Sequence, residues 1–222
     1  MQVVGMESSG DDAQWAAMRR RHRPDNELPG SVPFDVVIGR TDDLVVAITG
    51  ARAFTTGLAF TLVVRSRRRR ADGLIHDISG HHRPGTDPDR QLLLGFEYAD
   101  GRRGTNIGSE PVPMPAHADT VTLVTGGGGG DDLAVDHDFY LSPLPPAGDL
   151  VVFCAWPALD VPETRTVLDA NLVVEAARRA VVLWPEPGPE EREPVAPPRP
   201  RPPAGGWFAA TVRSEQGNDD GV

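Results

Sequence analysis

The chain has 222 residues, 39 % of them apolar, with 24 Gly, 22 Pro and a formal charge of −10. That length suits one domain with appendages and leaves two full domains crowded, while the Gly and Pro load confines order to part of the chain. The acidic balance disfavours nonspecific attraction to nucleic acid or anionic lipid, and a lone cysteine, Cys154, excludes an intrachain disulfide.

Met1 to Met6 carry no basic region ahead of an apolar stretch, and nowhere do about 18 apolar residues run together. The expected location is cytoplasmic, with no membrane span. Residues 11–22 read as a short helix with Asp11 as N-cap and Trp15 and Met18 three apart on one face, stopped by Pro24. Residues 1–27 form an N-terminal appendage on this reading.

From residue 28 the apolar pattern changes to the two-residue period of strands. In Leu58 to Arg65, Leu58, Phe60, Leu62 and Val64 share one face, the mark of a half-buried strand. Similar runs lie at Val36–Ile38, Leu44–Thr49, Gln91–Tyr98, Thr120–Thr125, Leu133–Leu141 and Leu150–Trp156, with a weaker one at Thr164–Leu168. The pair Asp100-Gly101 suits a hairpin turn. Ser142 to Asp149 is too short for the crossover helix of a parallel unit. The predicted fold is therefore mainly β, an antiparallel β-sandwich of about eight strands spanning residues 28–185.

One C-terminal helix is predicted to pack on this body, over residues 169–184: Asp169 caps it, and Leu172, Val173, Ala176, Ala177, Ala180, Leu183 and Trp184 recur three and four apart. It should pack across the sandwich with Trp184 docked, covering a sheet edge or an open end. Residues 186–222 begin as Pro, Glu and Arg with almost no aliphatics, the composition of a disordered tail. Within it the apolar island Gly206 to Val212 offers Trp207 and Phe208 as a docking motif.

The Gly126–Gly130 run, Leu141-Ser142-Pro143-Leu144-Pro145-Pro146, Trp156-Pro157-Ala158-Leu159, Pro162-Glu163-Thr164 and Leu183-Trp184-Pro185 carry a likeness. Through them residues 27–185 resemble a family of uncharacterised actinobacterial β-rich proteins of unknown function. The resemblance implies a bacterial origin and supports those domain boundaries. It transfers no catalytic residue.

Several segments bear on chemistry. His76, Asp77, His81 and His82 lie in the long connection 67–90, and imidazoles with carboxylates can gather a divalent cation; the competing reading is a solvated loop. Arg67, Arg68, Arg69 and Arg70, close to Arg65, can grip phosphate or a carboxylate-rich partner. Against this, no aromatic residue is interleaved for base stacking, and a charged strand end also discourages edge aggregation. Gly126–Gly130 lacks the Gly-Lys-Ser/Thr ending of a phosphate loop and runs into Asp131-Asp132, so it reads as a hairpin loop. Alternation sets Asp136 and Asp138 outward and His137 inward.

No catalytic nucleophile stands out, because Cys154 sits in an apolar run where burial keeps a thiol protonated. No cofactor follows from the residues. The leading expectation is a non-catalytic binding or assembly module whose partner is another protein. The rivals are a loop-site enzyme that uses His and Asp residues of the 67–90 connection, with or without a metal, and weak nucleic-acid or anion binding through Arg67–Arg70.

Overall fold

The computed structural model describes residues 22–69, 74–79, 88–107 and 120–185. The helix expected within 1–27, the tail 186–222 with Trp207 and Phe208, and Arg70, His81 and His82 lie outside the described residues, save His22 to Glu27 of the first.

Twelve strands and two α-helices occur among the described residues. The strands are β1 (Glu27–Leu28), β2 (Gly30–Ser31), β3 (Val36–Arg40), β4 (Leu44–Ala53), β5 (Leu58–Ser66), β6 (Leu93–Glu97), β7 (Arg103–Thr105), β8 (Thr122–Gly130), β9 (Ala134–Ser142), β10 (Asp149–Trp156), β11 (Val161–Asp169) and β12 (Val181–Val182). The helices are α1 (Ile75–Ser79) and α2 (Ala170–Ala177). Every described pairing is antiparallel.

The larger sheet runs β2-β4-β5-β9-β8, with β3 following β2 along the same edge of β4; the smaller runs β11-β10-β6-β7. Alternation does what the sequence expects. Leu58, Phe60, Leu62 and Val64 of β5 are buried, as are Leu94 and Phe96 of β6 and Leu150, Val152, Cys154 and Trp156 of β10, in one common core. Phe60 stacks on Phe139 and tilts against Phe96, with ring centroids 5.6 Å apart in both pairs. Truncating such a ring to Ala costs about 3–5 kcal/mol through lost transfer energy and the cavity left behind.

The two sheets touch along both sides as well as face to face. On one side the Thr164 hydroxyl of β11 donates to the Ile38 carbonyl of β3. On the other, Gly104 of β7 lies against Val121, just before β8. Buried polar groups at the rims are matched: Trp156 Nε1 donates to the Arg90 carbonyl at 2.8 Å, and the Tyr98 hydroxyl donates to the Pro143 carbonyl at 2.6 Å. Asn106 continues β7 beyond its end, accepting from Leu94 N at 2.8 Å and donating to the Leu92 carbonyl at 2.6 Å.

Two expectations need correction. The late helix ends at Ala177 rather than Trp184. Asp169 does cap it, its side chain accepting from Asn171 N at 2.9 Å, and Val173, Ala176 and Ala177 are buried. After a short turn, however, Val181–Val182 pair with Glu27–Leu28, and Leu183 N donates to the Asn26 carbonyl. Two adjacent β-branched residues pair well as a strand, and a distant partner strand outweighs helical spacing. Trp184 is consequently exposed rather than docked.

The second correction concerns Gly126–Gly130, which is strand and not loop. It forms the end of β8, with Gly128 opposite His137, Gly129 opposite Asp136 and Gly130 opposite Val135. The hairpin turn follows it, where one Asp131 carboxylate oxygen accepts from Leu133 N at 2.8 Å and Ala134 N at 2.9 Å. Those bonds favour the charged form and lower the Asp131 pKa.

The Asp100-Gly101 turn does join a hairpin, β6 to β7, with Gly101 in the left-handed region at φ +84°. The Arg102 backbone N–H donates to Asp100 and, with the Arg102 side chain, holds that carboxyl below its ordinary value.

Candidate functional site

The solvent face of the smaller sheet carries an apolar groove. Because Leu94, Phe96, Cys154 and Trp156 point into the core, their neighbours Leu93, Gly95, Glu97, Phe153 and Ala155 must point outward. Pairing then sets transverse rows. Arg165, Phe153, Gly95 and Thr105 form the central one; Ala155 lies opposite Leu93 on one side, and Val151, Glu97 and Arg103 line up on the other.

Gly95 has no side chain, so the central row dips between Phe153 and Thr105 and opens a concavity of about 200 Å³. Leu93, Phe153, Ala155 and Ile107 give it apolar walls, and Ile107 is itself exposed. Charge is confined to the rim. Glu97 pairs with Arg103 at 2.5 Å at one end, and Glu163 stands on the β11 side.

A Cβ placed on Gly95 would meet Thr105 Cγ2 at 3.6 Å and Phe153 Cβ at 3.7 Å, which are ordinary contacts. The position therefore tolerates a side chain, and its emptiness is not forced by crowding. Cys154 backs the groove with its sulfur turned inward, close to the β3 residue Gly39. Burial pushes its thiol up to about 12, which leaves it protonated and unreactive near neutral pH. The arrangement can hold an apolar group. It offers no activated nucleophile.

Those residues singled out in the sequence that are described do not gather here. His76 is exposed on α1, whereas the neighbouring Asp77 is buried, its carboxylate 3.3 Å from the Arg90 guanidinium. Among the described residues no group of three or more His, Cys, Asp or Glu side chains is placed to hold a metal ion. Of the arginine cluster, Arg68 pairs with Asp43 at 2.9 Å and Arg69 with Asp132 at 3.6 Å, while Arg67 is exposed. Carboxylates thus sit beside the very groups proposed to bind anions, which weakens the local field.

Asp136 pairs with Arg65 at 2.6 Å, and Asp138 accepts from the Thr61 hydroxyl at 2.7 Å. His137 points the other way, buried beneath Gly128 with its ring edge-on to Phe139 at 5.2 Å. The carboxylates and the imidazole lie on opposite faces of one strand and cannot act on one substrate atom.

Reasoning from the sequence passed over Leu93, Gly95, Thr105, Ile107, Phe153 and Ala155. A signal was present: Leu92-Leu93-Leu94-Gly95-Phe96 and Leu150 to Trp156 are apolar at both parities, whereas a sheet with one wet face alternates. Two adjacent strands apolar on both faces announce an outer apolar surface. Comparison with family models, with curated proteins and with solved structures finds no match to this chain. Among the described residues no helix is long and apolar enough to cross a membrane.

Proposed function

We propose that the protein is a non-catalytic binding module and that the groove on its smaller sheet receives one apolar side chain of an extended segment of a partner protein. The observation that carries this reading is the dip at Gly95, an apolar depression on a solvent-facing sheet with charges only at its rim. Size decides between occupants. A volume of about 200 Å³ falls short of the roughly 300–1,000 Å³ typical of small-molecule sites, and it matches a single anchoring side chain set among flat surroundings.

The test uses indole, the aromatic group of a tryptophan side chain, titrated into the isotopically labelled full chain and followed by amide NMR shifts. Shifts should concentrate at Leu93–Glu97 and Phe153–Ala155. In Gly95→Val, where the added Cβ meets only ordinary contacts, the melting temperature should hold or rise and the shifts should vanish. Indole shifts centred elsewhere, or undiminished in Gly95→Val, refute the proposal.

A further inference from the structure

A second surface, distinct from the groove, lies along the glycine end of β8. This strand closes one side of the larger sheet, and among the described residues no strand pairs with its outer edge. Elsewhere the rest of the fold comes up against the sheet edges. Gly30 of β2 lies against the Ala176 carbonyl of α2, β3 and β11 meet through Ile38 and Thr164, and β7 runs beside Val121. Gly126–Gly130, by contrast, are all exposed. A bulge between Thr125 and Gly128 interrupts the ladder, and regular pairing with β9 resumes over Gly128–Gly130.

The ladder fixes which backbone groups face outward. Asp131 N donates to the Ala134 carbonyl at 2.7 Å, so the next hydrogen-bonded pair, two residues on, is Gly129 with Asp136. Gly128 and Gly130 then direct both N–H and C=O away from β9, and among the described residues no hydrogen bond reaches them. Glycine is required at these two positions from within: a Cβ would lie 2.0 Å from His137 Nδ1 at Gly128 and 2.2 Å from the Ala134 carbonyl oxygen at Gly130. Nothing of the kind applies at Gly127 and Gly129, where a Cβ meets nothing within 4 Å and the backbone is not left-handed. Glycine weakens a strand, and in a strand interior it often marks the close approach of another backbone. Nor does β8 carry the Lys or Pro with which exposed edges are commonly blunted.

We propose that Gly128–Gly130 is a docking edge at which an extended, basic segment of a partner protein adds one further strand to the larger sheet. Unpaired N–H and C=O groups two residues apart are the complement of another strand's backbone, which is what strand addition uses. The missing side chain at Gly129 leaves room for an aromatic residue of the segment to lie across it, as aromatic neighbours do over edge glycines. Charge sets the sign of the partner. Asp131, Asp132, Asp136 and Asp138 cluster at this end of the sheet and outnumber Arg65 and Arg69, which pair with Asp136 and Asp132.

The test adds the capped peptide Thr-Tyr-Thr-Tyr-Arg-Arg to the isotopically labelled full chain and follows amide hydrogen exchange by NMR. At saturation exchange should slow by roughly tenfold or more at Gly128 and Gly130, with little change at Gly129, whose N–H is already bonded to β9. The same peptide N-methylated at alternate residues keeps its charge and side chains but loses ladder donors, and should bind at least roughly tenfold more weakly. Gly129→Lys, with open space around its Cβ, should weaken binding by about threefold or more, and Gly95→Val should leave it unchanged, which separates this edge from the groove. No binding at millimolar peptide, binding without slowed exchange at Gly128 and Gly130, or equal affinity of the N-methylated peptide overturns the proposal. So does binding unaffected by Gly129→Lys or abolished by Gly95→Val. Protection of Gly128 and Gly130 that rises with protein concentration in the absence of peptide also overturns it and assigns the edge to a second copy.

Discussion

Two neighbouring glycines of β8 should respond to the same substitution with opposite signs. An Ala Cβ at Gly128 would lie 2.0 Å from His137 Nδ1 and 3.0 Å from the Asp136 carbonyl oxygen. The imidazole has little room to retreat, since His137 is 5 % exposed and rests edge-on to Phe139. Overpacking of that kind costs about 1–3 kcal/mol. At Gly129 a Cβ meets nothing within 4 Å and the backbone is not left-handed, so Ala only narrows the unfolded ensemble, a gain of about 0.4–1 kcal/mol.

For a domain of this size each kcal/mol moves the melting temperature by about 2–4 °C. Gly128→Ala should therefore melt roughly 2–12 °C below wild type, and Gly129→Ala about 1–4 °C above it. Thermal and urea unfolding followed by tryptophan fluorescence and circular dichroism would measure both. A cycle with His137→Ala isolates the clash, because the penalty at Gly128 should fall by roughly half or more once the imidazole is gone. Equal tolerance at Gly128 and Gly129 would mean that the run is not packed as a strand against β9.

Other outcomes follow from buried polar groups. Asn106 is 6 % exposed and satisfies Leu94 N and the Leu92 carbonyl, so Asn106→Leu leaves both backbone groups without that partner and should cost about 1–3 kcal/mol in urea unfolding; an unchanged midpoint would refute the role. Burial raises the Cys154 pKa to about 12, above its unfolded value, so ionisation opposes folding. Stability should be insensitive to this group below about pH 9 and fall as pH climbs from there towards 12. At pH 8 native Cys154 should alkylate far more slowly than the urea-unfolded thiol, and equal rates would contradict its burial.

Much of the body was legible because it rests on local alternation. The stretches around Leu58–Val64 and Leu150–Trp156 bury every second residue, and the Asp100-Gly101 turn is punctuated by the residue that tolerates positive φ. The short strands Glu27–Leu28, Gly30–Ser31, Arg103–Thr105 and Val181–Val182 were not legible, since two or three residues hold no period. The glycine run misled for a related reason. Gly favours loops by its backbone freedom, but here small size is what the ring of His137 on the next strand requires at Gly128.

By itself, then, the amino-acid order determined the class of fold, the inward set of side chains and the capped start of α2, all of which follow from spacing along the chain. Tertiary structure alone decided where that helix gives way to a strand, which surface of the smaller sheet stays apolar, and how the arginines meet their carboxylates. Each of those depends on which distant strand comes to lie alongside, and lateral pairing leaves almost no trace in the spacing of residues along a single strand.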